Sequence, residues 1–194
     1  KQSSQNSYEN LKKLLHAIED QTSHQQAIQA LIELKDHLMN TPGDHLENYF
    51  FSIDKLMTSS DENDVNCLFL MQLPSIFTPE EWSFTFYEGL LRLPPEEFTN
   101  QVIVELGCGN GWISLALAKK TNITRIIGLD LNPKAIVCAK LNLYLNSYKK
   151  NGEPILDSSG KPLFEKITFE ISDLLSHCIQ NNIIVDKIIG CIPQ

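Results

Sequence analysis

Apolar residues recur at helical spacing in two stretches near the start of the chain. Leu11, Leu14, Leu15 and Ile18 form one stripe; Ala27, Leu31, Leu34 and Leu38, supported by Ile28, form a second. Residues 20–23 lie between them as a short turn, so the pattern predicts a helical hairpin. Thr41-Pro42-Gly43-Asp44 ends the second helix, because proline cannot continue it and glycine favours a turn. The pattern from 46 to 73 is less regular. Asn48-Tyr49-Phe50-Phe51 and Cys67-Leu68-Phe69-Leu70-Met71 are candidate short strands on either side of a polar loop at 59–64. Pro74 and Pro79 punctuate the next stretch. Pro79-Glu80-Glu81-Trp82 then has the form of a helix start, with proline and acids in the first turn, and that helix is expected to run through Phe86 and Leu90 toward Pro94-Pro95.

From residue 102 the period changes. Val102-Ile103-Val104-Glu105-Leu106 is a short apolar run suited to a buried parallel strand. A helix is expected at 112–120, a second strand at 125–130, a helix at 133–145, a third strand at 166–171, a helix at 174–180 and a fourth strand within 183–192. The connection at 151–160 is rich in turn residues. Such alternation implies right-handed crossovers and a doubly wound α/β fold, a parallel sheet with helices on both faces. The pattern divides the chain into a mainly helical segment, 1–73, and an α/β domain, 74–194. A sheet ending directly behind its fourth strand would leave an apolar edge unpaired. The α/β domain is therefore expected to be incomplete at its C-terminus. The polar first seven residues carry neither an initiator Met nor the apolar region of a signal peptide, so the native start is expected upstream.

Composition narrows the chemistry. The 194 residues carry a net charge of −8, which argues against a general affinity for nucleic acid and fits a small-molecule partner better. No apolar run approaches the roughly 18 residues that a membrane span requires. Cys67, Cys108, Cys138, Cys178 and Cys191 form no C-x-x-C pair, and most sit in apolar stretches. Reduced, buried thiols and a cytoplasmic setting are expected. His16, His24, His37, His45 and His177 show no metal-ligand spacing, so no metal is expected.

The chemistry concentrates after the first strand of the α/β domain. In Glu105-Leu106-Gly107-Cys108-Gly109-Asn110-Gly111-Trp112 three glycines let the backbone turn sharply and approach a ligand closely. The helix behind them offers free N–H groups and a positive dipole end, at the place where doubly wound sheets bind ligands. A dinucleotide fingerprint wants a further glycine where this chain has Trp112, which argues against NAD or FAD. S-adenosyl-L-methionine, which has no phosphates, fits better. Its carboxylate can use the helix N-terminus, and its ammonium group can meet Glu105 directly or through water. Asp130, 23 residues after Gly107, can accept both ribose hydroxyls. Asp173 is either a partner of the adenine amino group or a helix N-cap.

The segment 105–116 and Gly128-Leu129-Asp130-Leu131-Asn132-Pro133 resemble the first two cofactor motifs of class I S-adenosylmethionine-dependent methyltransferases, which have a Rossmann-like fold. The resemblance implies cofactor contacts from Glu105, Gly107, Cys108, Gly109, Asn110, Gly111, Trp112, Asp130, Leu131, Asn132 and Asp173. From about residue 67 onward the similarity is closer to methionine S-methyltransferases. It is carried by residues 74–90, 105–114, Leu141-Asn142-Leu143-Tyr144-Leu145-Asn146 and Ile189-Gly190-Cys191-Ile192-Pro193-Gln194. That resemblance implies a much longer protein, with most of the acceptor pocket beyond Gln194, and L-methionine as the acceptor.

A thioether sulfur has no proton to remove, so no general base is needed, and no His–Asp or Cys–His constellation lies near these motifs. Related nitrogen-directed methyltransferases carry Asn/Asp-Pro-Pro-Tyr/Phe after the fourth strand. Here Cys191-Ile192-Pro193-Gln194 lacks both the hydrogen-bonding first residue and the aromatic. The acceptor-side candidates are Tyr87, Cys191, Pro193 and Gln194. Trp82, Phe84, Phe86, Tyr87 and Trp112 are candidates to surround sulfonium charge through cation–π contacts, Tyr87 and Trp112 foremost. Two other readings stay open at this point: a nitrogen-directed methyltransferase, and a non-catalytic module that binds the cofactor.

Overall fold

The computed structural model describes residues 2–41, 52–56, 67–157 and 159–191, the side chains of 2–4 and 54–56 aside. The two apolar stripes form a helical hairpin, α1 (Gln2–Glu19) and α2 (His24–Asn40). Asp20 holds the turn by accepting the Thr22 N–H at 3.1 Å. Thr41 is extended (φ −80°, ψ 127°), as a residue before proline must be to avoid the ring. The candidate strand at 48–51 lies outside the described residues. The strand that is described there, β1 (Ser52–Leu56), pairs antiparallel with β2 (Leu68–Gln72), in the register Ser52 with Gln72 and Leu56 with Leu68. Among the described residues, the segment before residue 74 is thus a helical hairpin plus a strand pair.

That segment shares a core with the α/β part. Tyr8, Leu11, Leu15 and Ile18 of α1 and Ala27, Ile28, Leu31 and Leu38 of α2 meet Phe69 and Met71 of β2. All of them pack on Ala135, Cys138, Leu141 and Leu145 of a central helix, α5 (Pro133–Leu145). Each Leu or Ile buried there contributes about 1.5–3 kcal/mol, so the described parts of the two segments share one hydrophobic core.

The helix expected after Pro79 is α3 (Glu81–Leu91). Pro79 stands outside it. Glu80 is the N-cap, and its N–H donates to the Ser83 hydroxyl at 3.0 Å. A 3-10 turn (Pro95–Glu97) leads into the main sheet. Its strands β3 (Val102–Leu106), β4 (Arg125–Asp130), β5 (Ile167–Ile171) and β6 (Lys187–Gly190) are all parallel, in the order β5-β4-β3-β6. Helices α4 (Trp112–Lys120), α5 and the short α6 (Leu163–Lys166) cover the face that carries Ile103, Ile126, Ile167 and Phe169. On the other face Val104, Ile127 and Leu129 meet Cys178 of α7 (Ser176–Gln180).

One helix boundary departs from expectation. Leu174 is not helical but left-handed (φ 48°), and α7 begins at Ser176. The Ser172 hydroxyl explains the shift. It donates to the Leu174 carbonyl at 2.8 Å and accepts the His177 N–H at 3.0 Å, so it folds the chain into a turn and caps the helix itself.

Among the described residues, no helix is long and apolar enough to cross a membrane, and no group of His, Cys, Asp or Glu is placed to hold a metal ion.

Candidate functional site

Successive strands β3, β4 and β5 add on one side of β3, while β6 adds on the other. The order therefore reverses between β3 and β6, and a crevice opens beyond the carboxyl ends of both. A cavity of about 490 Å³ lies there, within the range of roughly 300–1,000 Å³ typical of small-molecule sites. Its walls come from the glycine loop, from Asp130 and Asn132 behind β4, from Cys191 behind β6, and from the segment 75–83 before and within α3.

The glycine loop is held by β4. The Gly107 and Cys108 N–H groups both donate to the Leu129 carbonyl, at 2.8 and 3.1 Å. Gly109 and Gly111 are left-handed (φ 54° and 81°), but for different reasons. A Cβ on Gly111 would stand 2.6 Å from the Phe169 ring and 3.0 Å from the Ala139 Cβ, so this glycine exists for packing. A Cβ on Gly109 would meet nothing within 4 Å. Gly109 is the one that presents bare backbone to the cavity.

Asp130 joins the loop to the end of β4. Its Oδ2 accepts the Gly109 N–H at 2.9 Å and its Oδ1 accepts the Asn132 N–H at 2.8 Å. A carboxylate offers about four lone-pair directions, so both oxygens retain capacity toward the cavity they line. Asn132 is committed to capping: its Oδ1 accepts the Lys134 N–H at 3.0 Å at the start of α5.

Glu105 is 2% exposed at the cavity floor. The Ser114 N–H donates to its Oε2 at 3.0 Å, and the Ser114 hydroxyl makes a short bond to the same oxygen. Burial pushes the Glu105 carboxyl up to about 8 from its ordinary 4.5. The two Ser114 bonds oppose the rise, and the nearby Asp130 charge adds to it. The direction of the shift favours the protonated carboxyl near neutral pH.

The helix end is less free than the sequence suggests. The Trp112 N–H donates to Asn110 Oδ1 at 3.2 Å, and the Ser114 N–H is spent on Glu105. A carboxyl buried this deeply needs donors, and the first turn of α4 supplies them. Ile113, between the two, lines the cavity.

The aromatic residues divide into wall and backing. Trp112 and Trp82 line the cavity. The Phe84 and Tyr87 rings back Trp112 at 5.2 Å each, Tyr87 edge-on. Tyr87 is 3% exposed and outside the lining, and among the described residues its hydroxyl has no hydrogen-bond partner. Burial alone pushes it up to about 12. Leu131 and Asp173 are exposed, and neither lines the cavity. The Asp173 backbone carbonyl, not its carboxylate, receives the Ser176 N–H, so the cap expected of Asp173 belongs to Ser172. Pro193 and Gln194 lie outside the described residues.

Sequence reasoning missed the wall at 75–78, where exposed Phe77 stands at the cavity beside Ile76. The signal was the bracket of Pro74 and Pro79, which forces a non-helical excursion with Ser75 left-handed (φ 70°).

None of the five cysteines forms a disulfide. Burial holds the Cys108 thiol well above its ordinary range, and burial followed by the Glu105 charge raises Cys191. They remain thiols, unsuited to nucleophilic attack.

Residues 86–166 match the family model described as Methyltransferase small domain. A methionine S-methyltransferase of Wollastonia biflora is 41% identical over 199 residues, covering 100% of this chain and 18% of its own length. One from Arabidopsis thaliana is 41% identical over 196 residues, with the same two coverages. One from Zea mays is 54% identical over 127 residues, covering 66% of this chain and 12% of its own length. The chain thus spans less than a fifth of the length of these curated relatives. The parallel four-stranded sheet, flanked by helices, and the family match agree on a class I methyltransferase fold.

Proposed function

We propose that this chain, homologous over its whole length to methionine S-methyltransferases and carrying a methyltransferase small domain, binds S-adenosyl-L-methionine for methyl transfer to the thioether sulfur of L-methionine, giving S-methylmethionine. The observation that carries the reading is one cavity with three features at the point where strand order reverses. These are a bare left-handed glycine, a partly satisfied Asp130 and a buried Glu105.

The residues present fit the cofactor. Asp130 would take the ribose hydroxyls, Glu105 the ammonium group, and Gly109 the close approach of the ligand. Trp112, backed by Phe84 and Tyr87, would lie against the ligand, while Cys108 and Asn110 complete the loop. When bound, the cofactor would supply an electrophilic methyl group on a sulfonium, whose S–CH3 bond breaks with the sulfur leaving as a neutral thioether as the methyl passes to the acceptor sulfur's lone pair. The chain's part is positional. Glu105 gains a cation and gives up its proton, Asp130 keeps the loop closed on β4, and Trp82 with Phe77 shields one wall from water. No residue has to move a proton from the acceptor. The adenine contact expected of Asp173 would require this exposed side chain to turn toward the ligand.

A small-molecule acceptor suits both the acidic chain and the cavity, and five reduced thiols suit the cytoplasm. The test is formation of S-methylmethionine from L-methionine and methyl-labelled S-adenosylmethionine by the protein at its natural full length. Cofactor binding without that product would retain the site and reject the acceptor.

A further inference from the structure

Strand β2 has a strand partner, β1, on one edge. Along its other edge lie the side chains of Asn142 in α5 and of Asn146, the residue that caps the end of that helix. Asn146 Oδ1 accepts the Phe69 N–H at 2.9 Å, and its Nδ2 donates to the Phe69 carbonyl at 2.7 Å. Asn142 repeats the pattern two residues along the strand. Its Oδ1 accepts the Met71 N–H at 2.6 Å, and its Nδ2 donates to the Met71 carbonyl at 3.2 Å. The match is geometric. Four residues of helix rise about 6 Å, and two residues of strand rise about 6.7 Å. The two buried amides therefore act as a strand edge built from side chains, and they satisfy backbone groups that water cannot reach.

The two asparagines differ in one respect. The second Nδ2 proton of Asn146 turns back onto the last turn of α5, to the Asn142 carbonyl at 2.7 Å. That of Asn142 goes to the carbonyl of Asn110 in the glycine loop, at 3.0 Å. Asn110, 1% exposed, also donates from Nδ2 to Gln72 Oε1 at 3.2 Å, and its Oδ1 holds the Trp112 N–H. A closed set of bonds thus runs from β2 through Asn142 and Gln72 to Asn110, and from there to the start of α4.

We propose that Asn142 is a positioning residue for the cofactor loop. It couples the docking of the α1–α2–β1–β2 segment to the shape of the loop at 110–112, and Asn146 is its purely structural counterpart. This gives the N-terminal segment a role in the reaction: it holds β2 where Met71 and Gln72 fix the loop. Because the coupling is reciprocal, cofactor binding in turn tightens the docking of that segment. The proposal rests on the cofactor reading above for its ligand.

The test compares Asn142→Leu with Asn146→Leu. Both remove the same two bonds to β2 and are expected to lower the urea midpoint by similar amounts. Titration with S-adenosylmethionine should then separate them, with Kd at least tenfold weaker in Asn142→Leu and within twofold of wild type in Asn146→Leu. In the cofactor-free chain, amide exchange at 110–112 should be at least tenfold faster in Asn142→Leu alone. Equal effects of the two substitutions, or none from either, would overturn the proposal. If both variants fail to fold, Gln72→Leu decides: it leaves the amide pairing of β2 intact and should weaken Kd at least threefold, and an unchanged Kd would reject the coupling. If wild type binds no cofactor, that reading alone falls, and the exchange comparison still decides the coupling.

Discussion

Replacing Glu105 with Gln changes one proton and one charge at nearly constant shape. In wild type the unfolded chain releases the Glu105 proton near 4.5, whereas the folded chain retains it to about 8. Between those values the folded state binds more protons than the unfolded state, so stability falls as pH rises, by up to about 1.4 kcal/mol per pH unit, and levels off above 8. The gap of about 3.5 pH units caps the penalty at about 5 kcal/mol. Relaxation around Ser114 and entry of water reduce it, and about 2–4 kcal/mol is the expected stabilisation of Glu105→Gln over wild type at pH 9. The Gln carbonyl can still accept both Ser114 bonds, so at pH 5 the two proteins should be nearly equal. Urea unfolding at pH 5, 7 and 9 and constant ionic strength measures this directly. A difference that does not grow with pH would mean that Glu105 ionises normally, and the reasoning would fail.

The same substitution tests the ligand role. In wild type an incoming ammonium group expels the Glu105 proton, so affinity for S-adenosylmethionine should rise about eightfold from pH 6 to 7 and about threefold more from 7 to 8. It should peak there, because an α-amino group itself loses its proton near 8. Glu105→Gln should lose that slope and about 1.5–3 kcal/mol of binding at pH 8, the worth of a hydrogen bond to a charged group.

Asp130→Ala should cost about 1–3 kcal/mol of cofactor binding, because it removes the ribose acceptor and frees the Gly109 and Asn132 N–H groups; near-unchanged affinity in calorimetry would mean the ribose is held elsewhere. Gly111→Ala should cost about 2–5 kcal/mol in urea unfolding, from left-handed strain plus the clash with Phe169, whereas Gly109→Ala should cost only about 1–2. Equal losses would contradict the division of labour between the two glycines. Gly109→Val should keep the fold and abolish cofactor binding by filling the cavity; retained binding in the same titration would move the site. Tyr87→Phe removes a buried hydroxyl that has no partner among the described residues, so it should be neutral or stabilising by about 1 kcal/mol and leave turnover unchanged. A loss of turnover would return the Tyr87 hydroxyl to the acceptor site.

Local chemistry decided which parts of the fold the sequence exposed. Helix α5 starts at Pro133 behind Asn132 because a capping side chain and a proline at the first helical position act within three residues. Helix α4 follows the glycine loop for an equally local reason. The helical hairpin was legible from its 3.6-residue period. The Ser172–Leu174 turn was not, because a hydroxyl two residues upstream overrode an apolar pattern that suited a helix. In the site, the loop and its two acids stood out through spacing, but their internal commitments did not. That Ser114 occupies Glu105, and that Asp130 holds the loop as well as facing the cavity, depends on tertiary distances. Asn142 and Asn146 were invisible as functional residues, since buried amides on an apolar helix declare themselves only when the strand they satisfy is in view.

The central claim is that the cavity between the glycine loop, Glu105 and Asp130 is built for S-adenosylmethionine. Calorimetric titration at pH 8 with S-adenosylmethionine, and with NAD as control, tests it most directly. The account predicts one cofactor per chain, uptake of heat that disappears in Gly109→Val or a corresponding release that does the same, and no response to NAD. Absence of binding in the folded chain, or equal binding of NAD, would contradict it.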